Sequence, residues 1–124
     1  MSESTGQRFG RMAPTIAVSD VDRAVAFYAA VFGMKVTFQN GNPVGFVILQ
    51  RDEAELHLTR LAEHEGSRCN VAHLLVTDAE SLYKDCIQHG ARIVKGLRDH
   101  EYGLRAFVVA DPDGNRIDVG QRVP

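Results

Sequence analysis

The sequence contains no tryptophan and only two cysteines, Cys69 and Cys86, among its 124 residues. Because the two cysteines are far apart and form no C-x-x-C pair, they indicate neither a zinc knuckle nor a disulfide framework. No run of apolar residues approaches the ~20 needed to span a bilayer, and the polar start MSESTGQRFGR lacks the apolar stretch of a signal peptide. We therefore expect a cytoplasmic protein that does not insert into membranes.

The sequence also lacks an excess of positive charge. Lys and Arg number 14 against 16 Asp and Glu, which gives a net charge of -2. Such a balance provides no basic field for a polyanion, so nucleic acid is not an expected partner. A G-x-S-x-G elbow, a P-loop and a dinucleotide fingerprint are absent as well. The length, with 44% hydrophobic and 24% charged residues, is typical of one compact domain.

One faint internal repeat organises the chain. The segment APTIAVSDVDRAV at 13–25 aligns with VAHLLVTDAESLY at 71–83, so that Asp20 matches Asp78. Each copy has a short apolar strand, an Asp suited to cap a helix, and a helical run that ends near Gly33 or Gly90. Three strand-like stretches follow each helix, separated by turns such as DPDGN at 111–115. The repeat therefore predicts two βαβββ modules.

These modules set the expected domain organisation. Residues 1–11 show no periodicity and are predicted to form a flexible N-terminal arm. Residues 12–124 are predicted to form a single α+β domain. Its modules cover 12–60 and 71–122, and the charged segment 61–70 links them.

Alternation along the predicted strands identifies candidate site residues. In a strand, every second side chain faces the helix that covers the sheet, and the others face away. In the strand from Ala54 to Thr59 the apolar set is Ala54, Leu56 and Leu58. The polar residues left on the faces away from the helices are Glu55, His57, His73, Arg116 and Asp118. Two interpretations stay open: these side chains converge on a common concave face, or the face simply meets solvent.

Three segments together resemble the glyoxalase/bleomycin resistance/extradiol dioxygenase group, the vicinal oxygen chelate superfamily. They are VSDVDRAVAFYAAVFGMKV, its echo VTDAESLYKDCIQHGARIV, and the closing YGLRAFVVADPDGNRIDVGQ. The resemblance covers nearly all of residues 12–122. It implies that the paired βαβββ modules form a curved mixed sheet around a cleft.

The resemblance also allows the metal positions of the superfamily to be examined. Metal-dependent members take one ligand from the first and one from the last strand of each module. The matching positions here are Ala13, Glu55, Val71 and Asp118. Two of the four cannot bind a cation, and a Glu/Asp pair alone binds transition metals poorly. No cofactor is therefore expected. A divalent metal held by a shifted set is the alternative, and that set would be His57, His73, Glu55 and Asp118.

The function implied by the resemblance is that of the bleomycin resistance type. Such a protein sequesters an antibiotic or toxin, without metal, in a cleft completed by a homodimer. Contacts there combine aromatic rings with polar groups. The expected ligand-binding residues are Glu55, His57, His73, Tyr102, Arg116, Asp118 and Phe46, and Phe38 and Phe107 are further ring candidates.

Two enzymatic alternatives stay open. One is a metal-dependent lyase, isomerase, thiol transferase or dioxygenase acting on vicinal oxygens, with Glu55 as base. The other is metal-free acid/base catalysis, in which Glu55 and Asp118 lie close enough to raise the pKa of one of them.

Overall fold

A computed structural model describes residues 6–124 and contains eight strands and two helices. In chain order the elements are β1 (Thr15–Val18), α1 (Val21–Phe32), β2 (Lys35–Gly41), β3 (Val44–Arg51), β4 (Ala54–Arg60), β5 (Asn70–Leu75), α2 (Ala79–Gln88), β6 (Arg92–His100), β7 (Leu104–Ala110) and β8 (Arg116–Arg122). Of the predicted arm at 1–11, the first five residues lie outside the described residues, and 6–11 contain no helix or strand.

The strands form two four-stranded mixed sheets. Sheet A has the order β1-β4-β3-β2, and sheet B has the order β5-β8-β7-β6. In each sheet the first and last strands of the module run parallel, while the remaining neighbours are antiparallel. The predicted α+β class with two βαβββ modules is confirmed. No helix of residues 6–124 is long and apolar enough to cross a membrane.

The helices begin where the sequence predicts. The Asp20 carboxylate accepts a hydrogen bond from the Arg23 backbone N–H at 3.0 Å and caps α1, and Asp78 caps α2 in the same way. Helix α1 ends at Gly33, whose φ of 66° is left-handed. Helix α2 ends one residue earlier than predicted, at a cap formed by His89, and the left-handed Gly90 follows it.

One continuous core lies between the sheets and their helices. Residues at alternate positions of the inner strands are buried against α1 in sheet A and near α2 in sheet B. Members of this cluster include Val47, Leu49, Leu56, Leu58, Phe107, Val109, Ile117 and Val119. Alternation therefore places the remaining side chains of these strands on the side of each sheet that faces away from its helix. We call that side the outer face of sheet A or of sheet B.

The DPDGN turn, between β7 and β8 of the second module, is hydrogen-bonded to residues of the first module. The Asp111 carboxylate accepts hydrogen bonds from the Tyr28 hydroxyl at 2.9 Å and from the backbone N–H groups of Asp113 and Asn115, also at 2.9 Å. The Asn115 side-chain amide donates to the Ala17 carbonyl at 2.8 Å. Burial raises the pKa of the Tyr28 hydroxyl, and the charge of Asp111 raises it further. Tyr28 therefore stays a donor at neutral pH, and the turn fixes the module junction.

Candidate functional site

The outer face of sheet A carries a connected set of aromatic and polar side chains. Antiparallel pairing places Gln50 opposite Glu55 and Ile48 opposite His57. The Phe46 ring lies 5.5 Å from the His57 ring in an edge-to-face contact and 6.3 Å from the Phe38 ring. The predicted site residues Glu55, His57 and Phe46 therefore share one face, and Phe38 extends it toward the sheet edge.

Glu55 is the centre of this hydrogen-bond network. Its Oε2 lies 2.6 Å from His57 Nε2, and its Oε1 accepts from Gln50 Nε2 at 2.7 Å. Arg11, from the segment before β1, donates to the same Oε1 at 3.3 Å. The hydrogen bond from His57 is the largest cause that lowers the pKa of Glu55, followed by the one from Gln50. Glu55 is therefore a carboxylate at neutral pH.

The lowered pKa of Glu55 bears on the hypothesis of metal-free acid/base catalysis. That hypothesis needs one of the pair Glu55 and Asp118 to have its pKa raised toward neutrality. The pKa of Glu55 is lowered instead, and its neighbours are His57, Gln50 and Arg11 rather than Asp118. Within one chain, Glu55 therefore does not have the raised pKa that this alternative requires of one member of the pair.

We expect His57→Ala to raise the pKa of Glu55 toward its ordinary value, because the substitution removes the largest cause that lowers it. Gln50→Ala should raise that pKa less. A carbon-detected NMR titration of the Glu55 carboxyl measures both. Asp118→Asn, a change on the other sheet, is the control. An unchanged Glu55 titration in His57→Ala would contradict the network.

The outer face of sheet B carries a second His–carboxylate pair. Parallel pairing sets His73 opposite Asp118, and His73 Nδ1 lies 2.9 Å from Asp118 Oδ2. Arg116 lies two residues before Asp118 on the same face, and its backbone N–H donates to the Ser67 hydroxyl. A Cβ added at Gly120 would lie 3.1 Å from the His73 ring, so a glycine there leaves space for the imidazole.

A cavity of about 440 Å³ lies on this outer face. Its lining includes Asp118 together with Lys95, Arg98, His100 and Tyr102. The Tyr102 ring is 68% exposed and stacks on the His100 ring at 5.0 Å, with an interplanar angle of 26°. The predicted site residue Tyr102 is therefore accessible to a ligand.

The ring candidate Phe107 belongs to the core. Its side chain is buried, and its ring packs edge-to-face against Tyr83 of α2 at 5.1 Å. The prediction that the Phe107 ring contacts a ligand is therefore wrong. Its neighbours in β7, Ala106 and Val108, face the outer side of sheet B instead, because alternation places Phe107 on the helix side.

A cavity of about 290 Å³ is lined by residues of both modules. Glu55 and His73 both line it, together with apolar side chains such as Leu56, Leu74 and Ile117. Within residues 6–124, however, no three His, Cys, Asp or Glu side chains are grouped so that they could hold one metal ion. Each chain thus presents two separate pairs, one on each sheet. The shifted set of four ligands is not assembled within a single chain.

Four residues of these faces were missed by the sequence interpretation. Lys95 and Arg98 lie in β6, where register shifts between Ile93 and Lys95 and between Lys95 and Arg98 break the period-two pattern. Gln50 and Arg11 meet Glu55 only through strand pairing and chain path, which no local pattern records.

Comparisons with known proteins agree with this architecture. The family model described as Glyoxalase/Bleomycin resistance protein/Dioxygenase superfamily matches residues 8–119. An uncharacterized protein of Mycobacterium bovis is 27% identical over 126 residues, covering 90% of this chain and 83% of the relative. The metallothiol transferase FosB of Lysinibacillus sphaericus is 24% identical over 105 residues, covering 82% and 74% of the two chains.

Solved structures share the fold. A bleomycin resistance determinant encoded on the transposon Tn5 superposes with a TM-score of 0.79 at 22% identity, covering 92% of this chain and 98% of that one. A bleomycin-binding protein complexed with bleomycin superposes with a TM-score of 0.76 at 23% identity, covering 92% and 99%. With two βαβββ modules and a family match across 8–119, the chain belongs to the glyoxalase/bleomycin resistance protein/dioxygenase superfamily.

Proposed function

We propose that this protein binds a small organic molecule without metal and sequesters it in a cleft. The cleft lies between the outer face of sheet A in one chain and the outer face of sheet B in a second. The observation that carries the proposal is the exposure of aromatic rings on both faces. Phe38 is 49% exposed on sheet A, and Tyr102 is 68% exposed on sheet B. Rings beside a few polar groups are the usual lining of small-molecule sites.

The proposed ligand contacts are those predicted from the sequence. On sheet A they are Glu55, His57 and Phe46, and on sheet B they are His73, Asp118, Arg116 and Tyr102. Supporting them is the similarity to a bleomycin-binding protein solved with its ligand, which is a small molecule held on the same fold. Antibiotic or toxin sequestration in the cytoplasm is the biological role we propose.

The test of binding without turnover is a melting experiment in EDTA. A cleft ligand at about 100 times its Kd stabilises the fold by about 2.7 kcal/mol. Bleomycin and small aromatic acids and amines are the compounds to assay, with mass spectrometry of each after incubation. We expect at least one to raise Tm and to be recovered unchanged. Stabilisation that appears only when a divalent metal replaces EDTA, or recovery of a converted product, would overturn the proposal.

The homodimer is part of this proposal. Phe9 and Met12 precede β1 and are 89% and 96% exposed, so a partner chain that covers them would bury apolar surface. We expect light scattering to give twice the chain mass, and Phe9→Ser with Met12→Ser to raise the dimer dissociation constant at least about tenfold. Ile87→Ser on α2, where the side chain is 53% exposed, is the matched control. A monomeric parent protein would refute the shared cleft.

A metal-dependent enzyme is the second candidate, favoured by the presence of one His–carboxylate pair on each outer face. In a dimer the pair Glu55 and His57 of one chain would face His73 and Asp118 of the other. The similarity to a metallothiol transferase also supports this candidate. Equilibrium dialysis against Ni, Co, Mn, Fe and Zn separates the two candidates. We expect no stoichiometric uptake. Uptake of one ion per site that is lost in His73→Ala would establish the enzyme candidate instead.

A further inference from the structure

We propose that the ligand of this cleft is an aromatic organic anion, whose acidic group is bound by Lys95 and Arg98 of β6. The inference rests on the proposed function and specifies its ligand. Both side chains are exposed and line the cavity of about 440 Å³ on the outer face of sheet B. Neither has a hydrogen bond or ion pair with another residue of the described part of the chain.

Strand register concentrates further basic residues on the same face. Arg92 and Arg116 both pair with Ala110, Lys95 pairs with Val108, and Arg98 pairs with Ala106. These β7 partners lie outside the core cluster that packs on α2, so the basic side chains share the outer face with them. The basic strand residues of this face include Lys95, Arg98, Arg92 and Arg116, and among the described strand residues that share it Asp118 is the one carboxylate. A face with this surplus attracts anions, although the whole chain has a net charge of -2.

The carboxylates of both faces already have donors. Asp118 is held by His73 at 2.9 Å, and Glu55 is held by His57, Gln50 and Arg11. A cationic ligand would have to compete with these donors for its acceptors. An anionic ligand would instead meet donors without partners, and charge-assisted hydrogen bonds are among the strongest that a site can offer.

The aromatic part of the ligand follows from the rings beside the basic pair. Tyr102 stacks on His100 at 5.0 Å and forms a flat platform at the cavity wall that contains Lys95 and Arg98. A planar ring can stack on this platform while its acidic substituent reaches the ammonium and guanidinium groups. The ligand class is therefore an aromatic carboxylate, sulfonate or phosphonate.

Two probes with the same naphthalene ring, similar size and opposite charge test the inference by calorimetry. They are 1-naphthalenesulfonate and 1-naphthylmethylammonium. We expect the parent protein to bind the sulfonate at least about tenfold more tightly than the ammonium. The double variant Lys95→Glu with Arg98→Glu should reverse this order. The control variant Lys84→Glu with Arg60→Glu changes the net charge equally. Lys84 pairs with Glu80 on α2. Arg60 lies on the helix side of sheet A, because the preceding residue, Thr59, pairs with Phe46 on the outer face.

Each remaining outcome is decisive. If the ammonium binds as tightly as the sulfonate or more tightly, the charge inference is overturned while the binding cleft stands. If the control variant weakens sulfonate binding as much as the β6 variant does, net charge and not this site attracts the anion, and the inference fails. If neither probe binds the parent protein at millimolar concentration, the proposed binding function and the inference fail together.

Discussion

Asp111→Ala should lower the free energy of unfolding by about 4 kcal/mol. The Asp111 carboxylate accepts from two backbone N–H groups of its own turn, at Asp113 and Asn115, and from the buried Tyr28 hydroxyl of α1. Alanine leaves these donors buried and without an acceptor, at about 1–3 kcal/mol for each group that water cannot reach. Since a domain of this size is stable by about 5–15 kcal/mol, the loss removes a large part of its stability.

Tyr28→Phe is the matched control for this prediction. It removes the hydroxyl together with its need for an acceptor, and Asp111 Oδ2 keeps the Asn115 amide at 3.0 Å. The expected loss is about 1 kcal/mol. Urea unfolding at one fixed protein concentration measures both variants, because a dimer makes stability depend on concentration. If Asp111→Ala costs no more than Tyr28→Phe, the turn does not hold the modules together.

Local sequence patterns were sufficient to predict which way side chains face wherever a strand keeps an uninterrupted two-residue period. In β4, Leu56 and Leu58 are buried and Glu55 and His57 lie on the outer face, as alternation predicts, because no bulge interrupts this strand against β3. The same applies to the Asp caps of both helices, whose hydrogen bonds span three residues. Such features depend on neighbours in the sequence, so the sequence alone contains them.

Contacts between distant segments could not be predicted in the same way. The helical stripe identifies Tyr28 as a core residue, but its acceptor Asp111 lies 83 positions away. Glu55 meets Gln50 through hairpin register and Arg11 through the path of the segment before β1. The register shift of β6 between Ile93 and Lys95 places Lys95 on the same outer face as Arg98. The grouping of basic residues on the outer face of sheet B therefore depends on the strand register, which no local sequence pattern specifies.

The linker between the modules carries the second large prediction. Gly66 has a φ of +100°, and a Cβ there would lie 2.7 Å from the Asp113 carbonyl oxygen and 2.9 Å from the Gly114 carbonyl carbon. These are backbone atoms of the DPDGN turn, which Asp111 holds in place, so they cannot move aside at low cost. We expect Gly66→Ala to lower the free energy of unfolding by about 3 kcal/mol.

Gly90→Ala separates the two causes of that loss. Gly90 also has a left-handed φ, +73°, but a Cβ there would meet no heavy atom within 4 Å. Its expected cost is the backbone term alone, about 1–2 kcal/mol. Urea unfolding gives both values, and amide exchange at Ser67, whose N–H donates to the Gly114 carbonyl at 3.1 Å, should accelerate only in Gly66→Ala. Equal losses and unchanged exchange at Ser67 would mean that the linker does not pack on the turn. The position of the linker also matters for the site, because the Ser67 hydroxyl accepts from the Arg116 N–H at the start of the strand that carries Asp118.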